Sequence, residues 1–231
     1  MIIFAVDSSS AAGSAALLED GKIIYESYAN EGLTHSQTLL VRCDEVFRNT
    51  GYGPSDVDCW AVTSGPGSFT GLRIGMSLVK GMAFAPDALC CAVPTFDALA
   101  EAAAPEGRDI LAVLDARQKR AYYAAYRVED GNAVRLCEDG LLPLSELGER
   151  CAALGLVCPL VVGDIAPLAA SCVEGSEACG EEWMYVHAGQ AGMAAYRMIK
   201  EGKTCGAAEL APSYLQPSQA ERNRMEKERE K

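Results

Sequence analysis

Ser64-Gly65-Pro66-Gly67-Ser68-Phe69-Thr70-Gly71-Leu72-Arg73-Ile74-Gly75 joins two patterned runs. Before it, Cys59-Trp60-Ala61-Val62-Thr63 reads as a buried strand; after it, a periodic apolar run to Phe84 reads as a helix. The glycines and Pro66 turn the backbone sharply, and the helix start presents free N–H groups where the macrodipole favours anions. As a generic phosphate loop the stretch fails. It has neither the Gly-Lys-Ser/Thr ending of a nucleotide-triphosphate loop nor the spacing of a dinucleotide fingerprint.

Outward from this turn the pattern alternates. Residues 2–7 predict a strand, and residues 14–18 and 22–28 a meander with it, turned at Glu19-Asp20-Gly21. Thr34 predicts an N-cap, with Gln37 completing a capping box, for a helix to about Asn49 closed by Gly51. A strand at 89–93 and a helix at 95–104 follow. Pro105-Glu106-Gly107-Arg108-Asp109 marks a boundary between lobes 1–105 and 106–217. The second lobe carries strands at 110–115 and 121–128 around the basic turn Gln118-Lys119-Arg120, a strand at 160–163, and helices at 165–173 and 192–201. Residues 218–231 are almost wholly polar and read as a frayed tail. By pattern alone the class is mixed α/β.

Composition narrows the function classes. Of 231 residues 49% are apolar, which excludes disorder for the body of the chain. No apolar run approaches the roughly 18 residues a membrane helix needs. Met1 to Ser10 has no basic start and is interrupted by Asp7, so it does not read as a signal peptide. A net charge of −12 argues against strong direct binding of nucleic acid. The ten cysteines form no Cys-x-x-Cys pair, and the two histidines, His35 and His187, stand beside none of them. They read as small buried hydrophobes of a reducing cytosol rather than zinc ligands or a disulfide frame.

Helix-face arithmetic suggests a binding surface. Leu39, Leu40, Cys43, Val46 and Phe47 gather on one stripe of the first helix, enough for one sheet to cover. On the helix from Phe69, one face carries Phe69, Leu72, Met76, Val79 and Ala83. A second carries Ile74, Leu78 and Met82, with Gly71 and Gly75 between them, and the apolar arc reaches roughly 220°. Something packs on its second side: the neighbouring helix, or a helix of another chain. Val41, Gly71, Ile74, Gly75, Leu78 and Met82 form the expected partner surface, and Gly75 is expected to face the partner rather than the core.

Several motifs in one order carry a family resemblance. They are Gly65-Pro66-Gly67-Ser68-Phe69-Thr70-Gly71-Leu72-Arg73, the opening Ile2-Ile3-Phe4-Ala5-Val6-Asp7-Ser8-Ser9-Ser10, His35-Ser36 before a helix, Asp115-Ala116-Arg117, and Pro212-Ser213-Tyr214-Leu215. Together they resemble the TsaB (YeaZ) family, bacterial partner proteins in making N6-threonylcarbamoyladenosine on tRNA. The resemblance is dense over the first half of the chain and thin beyond it. It implies an α/β actin/hexokinase-like (ASKHA) fold of two lobes, each a mixed sheet flanked by helices. It also implies a non-catalytic dimerisation subunit that binds TsaD, helps dock the ATPase TsaE, and supports threonylcarbamoyl transfer to adenosine in tRNA. In that family the first two helices pair with those of TsaD, or with a second TsaB copy, as a four-helix bundle.

The resemblance further implies a cytoplasmic protein with no cofactor of its own, ATP and a metal ion belonging to the partner subunits, and tRNA reached only through the complex. TsaD holds its metal through two histidines four apart. Thr95 and Leu99 stand at those places here, so neither a metal site nor a catalytic residue is expected. Asp7, Ser8, Ser9 and Ser10 stand where actin-like ATPases hold a nucleotide and its metal. They have no glycine for backbone to approach phosphate, and either cap a turn or form a vestigial nucleotide site. Two other readings remain: an independent phosphotransferase using Asp7, and a glycoprotease-like peptidase using Ser36 and His35, with Asp7, Asp97 or Asp115 as the acid. The chain departs from the family at Gln118-Lys119-Arg120, where relatives run towards Glu-Val-Tyr, and at Gln216, where they carry Arg.

Overall fold

The computed structural model describes residues 1–32, 34–84 and 88–217; the tail expected over 218–231 lies outside the described residues. In chain order the elements are β1 (Ile2–Asp7), β2 (Gly13–Glu19), β3 (Lys22–Ala29), α1 (His35–Thr50), β4 (Cys59–Gly65), α2 (Phe69–Met82), β5 (Leu89–Pro94) and α3 (Thr95–Ala103). They continue with β6 (Ile110–Asp115), β7 (Arg120–Glu129), β8 (Asn132–Arg135), β9 (Gly140–Pro143), α4 (Leu147–Ala153), β10 (Leu160–Val162), α5 (Ala166–Ala170), β11 (Glu177–Ala178), α6 (Ala188–Lys200) and β12 (Cys205–Gly206). The first sheet runs β12-β5-β4-β1-β2-β3 and the second β11-β10-β6-β7-β8, with β9 also on β7.

β1 and β4 are buried along their whole length, as parallel central strands covered on both faces must be. Alternation then sorts their side chains. Phe4 and Val6 join Leu17, Trp60 and Val62 under α1 and α2, and Phe4 stacks on Phe47 at 4.5 Å. Ile3 and Ala5 face a second core that runs through α3 and α6 into the second sheet. α6 approaches closely because its buried stripe is only Ala188, Gly189, Ala191, Gly192, Ala194 and Ala195. The two expected lobes therefore share a core, and after α6 the chain returns to the first sheet through β12 beside β5.

Local readings need three corrections. Thr34 makes no side-chain cap; its hydroxyl donates to Gln37 Oε1 at 2.9 Å, and Gln37 N–H donates to the Thr34 carbonyl. α2 ends at Met82 rather than Phe84, whose ring is almost wholly exposed. α6 begins at Ala188, ahead of the expected 192, because alanine and glycine give a weak apolar signal. Gly51 does close α1 in the left-handed region, donating to Phe47 O at 3.0 Å.

α2 lies so close over the turn after β1 that a Cβ on Gly71 would collide with the Ser8 carbonyl oxygen, whereas one on Gly81 would meet nothing. Gly71→Ala is therefore expected to lower stability by about 1–3 kcal/mol. Gly81→Ala is expected to raise it by about 0.5–1 kcal/mol, through helix propensity alone. Urea midpoints of the two variants check both signs.

Candidate functional site

A cleft of about 570 Å³ opens between the two sheets. Its floor is the turn after β1. Asp7 is fully buried, and its Oδ1 accepts from Ser9 Oγ and Thr63 Oγ1, both at 2.7 Å, and from Ser9 N–H at 3.2 Å. Burial pushes its carboxyl above the ordinary range against the pull of those hydrogen bonds, and Oδ2 has no hydrogen-bond partner. Ser8 also turns inward, donating to Gly71 O at 2.9 Å. Of the four expected nucleotide-site residues only Ser9 and Ser10 line the cleft. Asp7 has spent one oxygen inside the turn and presents neither to the opening, so it does not fit the metal of a bound nucleotide.

Two motifs far apart in sequence meet on the next wall. Ser213 N–H donates to Ser64 O at 2.7 Å, beside the cis Gly65–Pro66 peptide. The Tyr214 ring stacks on Phe69 with centroids 4.3 Å apart. Arg73 lies over Phe69 at 4.0 Å and donates from Nε to Tyr214 Oη at 2.9 Å. The start of α2, expected to present free N–H groups, is tied down as well. Ser68 Oγ accepts from Gly71 N–H at 3.2 Å, and Ser68 N–H donates to Ser9 O at 2.6 Å.

The opposite wall comes from the ends of β6 and β10. Asp115 N–H donates to Asp164 Oδ1 at 2.9 Å, while Asp115 Oδ1 accepts from Arg117 N–H at 2.8 Å. Arg117, Gln118 and Lys119 follow, all three in the left-handed region, so this turn is strained. Arg120 then places Nη2 within 3.4 Å of Gln216 Oε1. The two places where the chain departs from the family pattern thus touch each other. Sequence reading missed Asp164, Tyr122 and Tyr185 as cleft residues; an acid directly after the expected strand at 160–163 was the one available signal.

The peptidase constellation is not assembled. His35 Nε2 sits 2.8 Å from Ser10 O, and Ser36 Oγ faces Thr34 Oγ1 at 3.2 Å instead of the imidazole. Asp97 accepts from Tyr126 Oη at 2.7 Å and from Arg135, away from His35. Thr95 at the start of α3 and Leu99 one turn on are both buried, and a hydroxyl and a hydrocarbon do not fit a metal ion at the places where the family resemblance sets histidines. Among the described residues no group of three or more His, Cys, Asp or Glu side chains could hold a metal ion.

The expected partner surface divides. Val41 is 61% exposed and its neighbour Leu40 60%, while Ile74, Leu78 and Met82 are half-buried on the outer side of α2. Gly71 and Gly75 are corrected: both are buried and face inward. A Cβ on Gly75 would run into the Ser8 side chain, with Val62 just behind. The glycines admit the β1 turn, not a partner helix, so Gly75→Arg would disrupt the core.

Burial, with the nearby Asp115 charge, raises Asp164 from 3.8 to about 6. Because the folded value lies above the unfolded one, the stability linked to this group is fully present below about pH 4 and is lost as pH rises through 6. Asp164→Asn keeps the acceptor for Asp115 N–H and removes the charge. It is expected to be more stable than the parent above pH 6, by up to about 3 kcal/mol, and to lose that advantage near pH 4. Paired denaturant titrations across this range check the crossover.

The family model described as "TsaD: tRNA N6-adenosine threonylcarbamoyltransferase" matches residues 30–150. The tRNA threonylcarbamoyladenosine biosynthesis protein TsaB of Haemophilus influenzae is 34% identical over 128 residues, 54% of this chain and 53% of that protein. The match thus spans about half the length of that relative. YeaZ from Pseudomonas aeruginosa is similar in structure, with a TM-score of 0.82 at 27% identity over 93% of this chain and 99% of that one. The activator of the 2-hydroxyisocaproyl-CoA dehydratase from Clostridium difficile, at a TM-score of 0.52 and 14% identity over 87% of this chain and 97% of its own, shares the fold alone. The two mixed sheets are those of the actin/hexokinase-like fold. With more than half of its length on the family model, the chain belongs to the TsaD family, on its TsaB (YeaZ) side.

Proposed function

We propose that the chain is a non-catalytic subunit of the machinery that makes threonylcarbamoyladenosine on tRNA, and that it pairs with TsaD through the outer faces of α1 and α2. The observation that carries this reading is the apolar surface left over once both helices have covered their sheet. Leu40 and Val41 stand exposed on α1, with Ile74, Leu78 and Met82 half-buried on α2. A helix pair of the same kind from TsaD would cover it, and a second copy of this chain would do so where TsaD is absent.

In that role ATP, the metal ion and tRNA are handled by TsaD and TsaE in the cytoplasm. This chain contributes by favouring the partner conformation in which they are correctly placed. A charge of −12 suits a subunit that does not itself grip RNA. No helix among the described residues is long and apolar enough to cross a membrane. The inward-turned Asp7 removes the main support for an independent phosphotransferase.

The double variant Leu40→Glu with Val41→Glu is expected to fold, because both side chains stand exposed on α1. Placing two carboxylates in a helix–helix contact costs several kcal/mol, and about 1.4 kcal/mol is tenfold in affinity. Pairing with TsaD should weaken at least a hundredfold, while Glu149→Lys on exposed α4 surface should leave it unchanged. Calorimetric titration with TsaD and the modified-nucleoside content of tRNA are the readouts. A folded double variant that pairs normally rejects this surface.

A further inference from the structure

Four of the ten cysteines gather at one end of the first sheet, and the register sorts them by face. Cys59 and Cys91 lie in the core shared with α3 and α6, where Cys91 Sγ is 3.6 Å from Lys203 O and 3.9 Å from Met198 Sδ. Cys90 lies on the opposite face, in the core under α1 and α2, and Cys205 packs against that same core. β12 runs antiparallel to β5 with Cys205 directly opposite Cys90. Directly opposed residues of an antiparallel pair share a face, with Cα atoms about 4.5–5.5 Å apart. That separation falls inside the range a disulfide spans. Cys90 is fully buried, while Cys205 is partly exposed and gives a small oxidant access.

We propose that Cys90 and Cys205 form a dithiol–disulfide pair that, when oxidised, staples the returning chain to the edge of the first sheet. β12 contributes only two residues, so without a bridge it is a short edge pairing. The segment it anchors carries the second cleft motif. Lys80 Nζ donates to Ala208 O at 3.4 Å, Leu210 is buried under α2, and Ser213 and Tyr214 seat on the glycine-rich turn. A bridge would therefore fix the position of Tyr214 against Phe69 and Arg73, beside the proposed partner face.

The oxidant is a low-molecular-weight disulfide such as oxidised glutathione. The Cys205 thiolate attacks one of its sulfurs, forming a mixed disulfide and releasing one glutathione thiolate. Cys90 then attacks Cys205 Sγ, the new S–S bond forms, and the second glutathione leaves. The protein loses two protons and two electrons, and the oxidant gains them as two thiols. Burial pushes the Cys90 thiol up to about 11 and raises Cys205 as well, with the Lys80 ammonium countering both, so exchange at neutral pH is slow rather than absent.

The test uses the full chain equilibrated with oxidised glutathione and then alkylated under denaturing conditions. The expected result is two of the ten thiols protected, with peptide fragmentation joining Cys205 to Cys90 rather than Cys91. Proteolytic cleavage after residue 203 should slow about tenfold in the oxidised protein, because cleavage tracks local opening. Cys205→Ser, at a partly exposed position, should lose both the bridge and the protection. Ten alkylatable thiols at equilibrium, a bridge to any other cysteine, or a bridge surviving in Cys205→Ser overturns the proposal.

Discussion

The buried carboxylate of Asp7 holds the first lobe together at the point where its chain paths converge. Its Oδ1 gathers the Ser9 hydroxyl, the Ser9 amide and the Thr63 hydroxyl, linking the end of β1 to the end of β4. The turn so fixed presents two carbonyls to α2. Ser9 O accepts from Ser68 N–H, and Ser8 O sits against Gly71, where any side chain would collide. The helix can approach that turn only because glycine occupies the contact. A hydrogen bond to a buried acid is costly to leave unmade, so losing any of the three donors to Oδ1 would destabilise this turn, all the more because Oδ2 has no hydrogen-bond partner.

That constraint explains why the glycine-rich turn was legible as a fold signal but misleading as a site. Strand, turn and helix followed from apolar runs and glycine spacing; strand and helix begin at Cys59 and Phe69 as expected, the strand running on to Gly65 and the helix stopping at Met82. The inward direction of Gly75 was not legible, because a wheel places a residue between two faces without saying what lies beneath it. The reason is Ser8, sixty-odd residues earlier, whose hydroxyl fills the space. The second lobe was harder for a different reason. β8, β9, β11 and β12 are two to four residues long and only partly buried, so they carry no run of alternation to read. The alanine-rich stripe of α6 hides its importance in the same way, since small residues signal close packing only once a neighbour is known.

The cleft sets a fully buried acid beneath an opening between the two sheets. The architecture brings β1, the α2 start and the β6 end to one opening, as a ligand-binding crevice between lobes requires. Yet the acid at the β1 end is turned into the turn, and the α2 start is capped by Ser68. Tyr214 stacks on Phe69 at the start of that helix. Asp7 and Ser8 are thus engaged inside the turn, while Ser10, Asp115, Arg117, Tyr122 and Tyr185 line the opening.

The same economy bears on the departures from the family pattern. The chain departs from the family resemblance over Gln118-Lys119-Arg120 and at Gln216, and here Arg120 and Gln216 face each other at 3.4 Å. The contact joins β7 to the segment after Tyr214, so it holds the returning chain at its far end as β12 holds it at its near end. Between those two ends the buried Leu210, the Ser213–Ser64 hydrogen bond and the Tyr214–Phe69 stack seat the motif on the cleft. Small changes at either attachment therefore act on the cleft and on the adjoining face of α2 together.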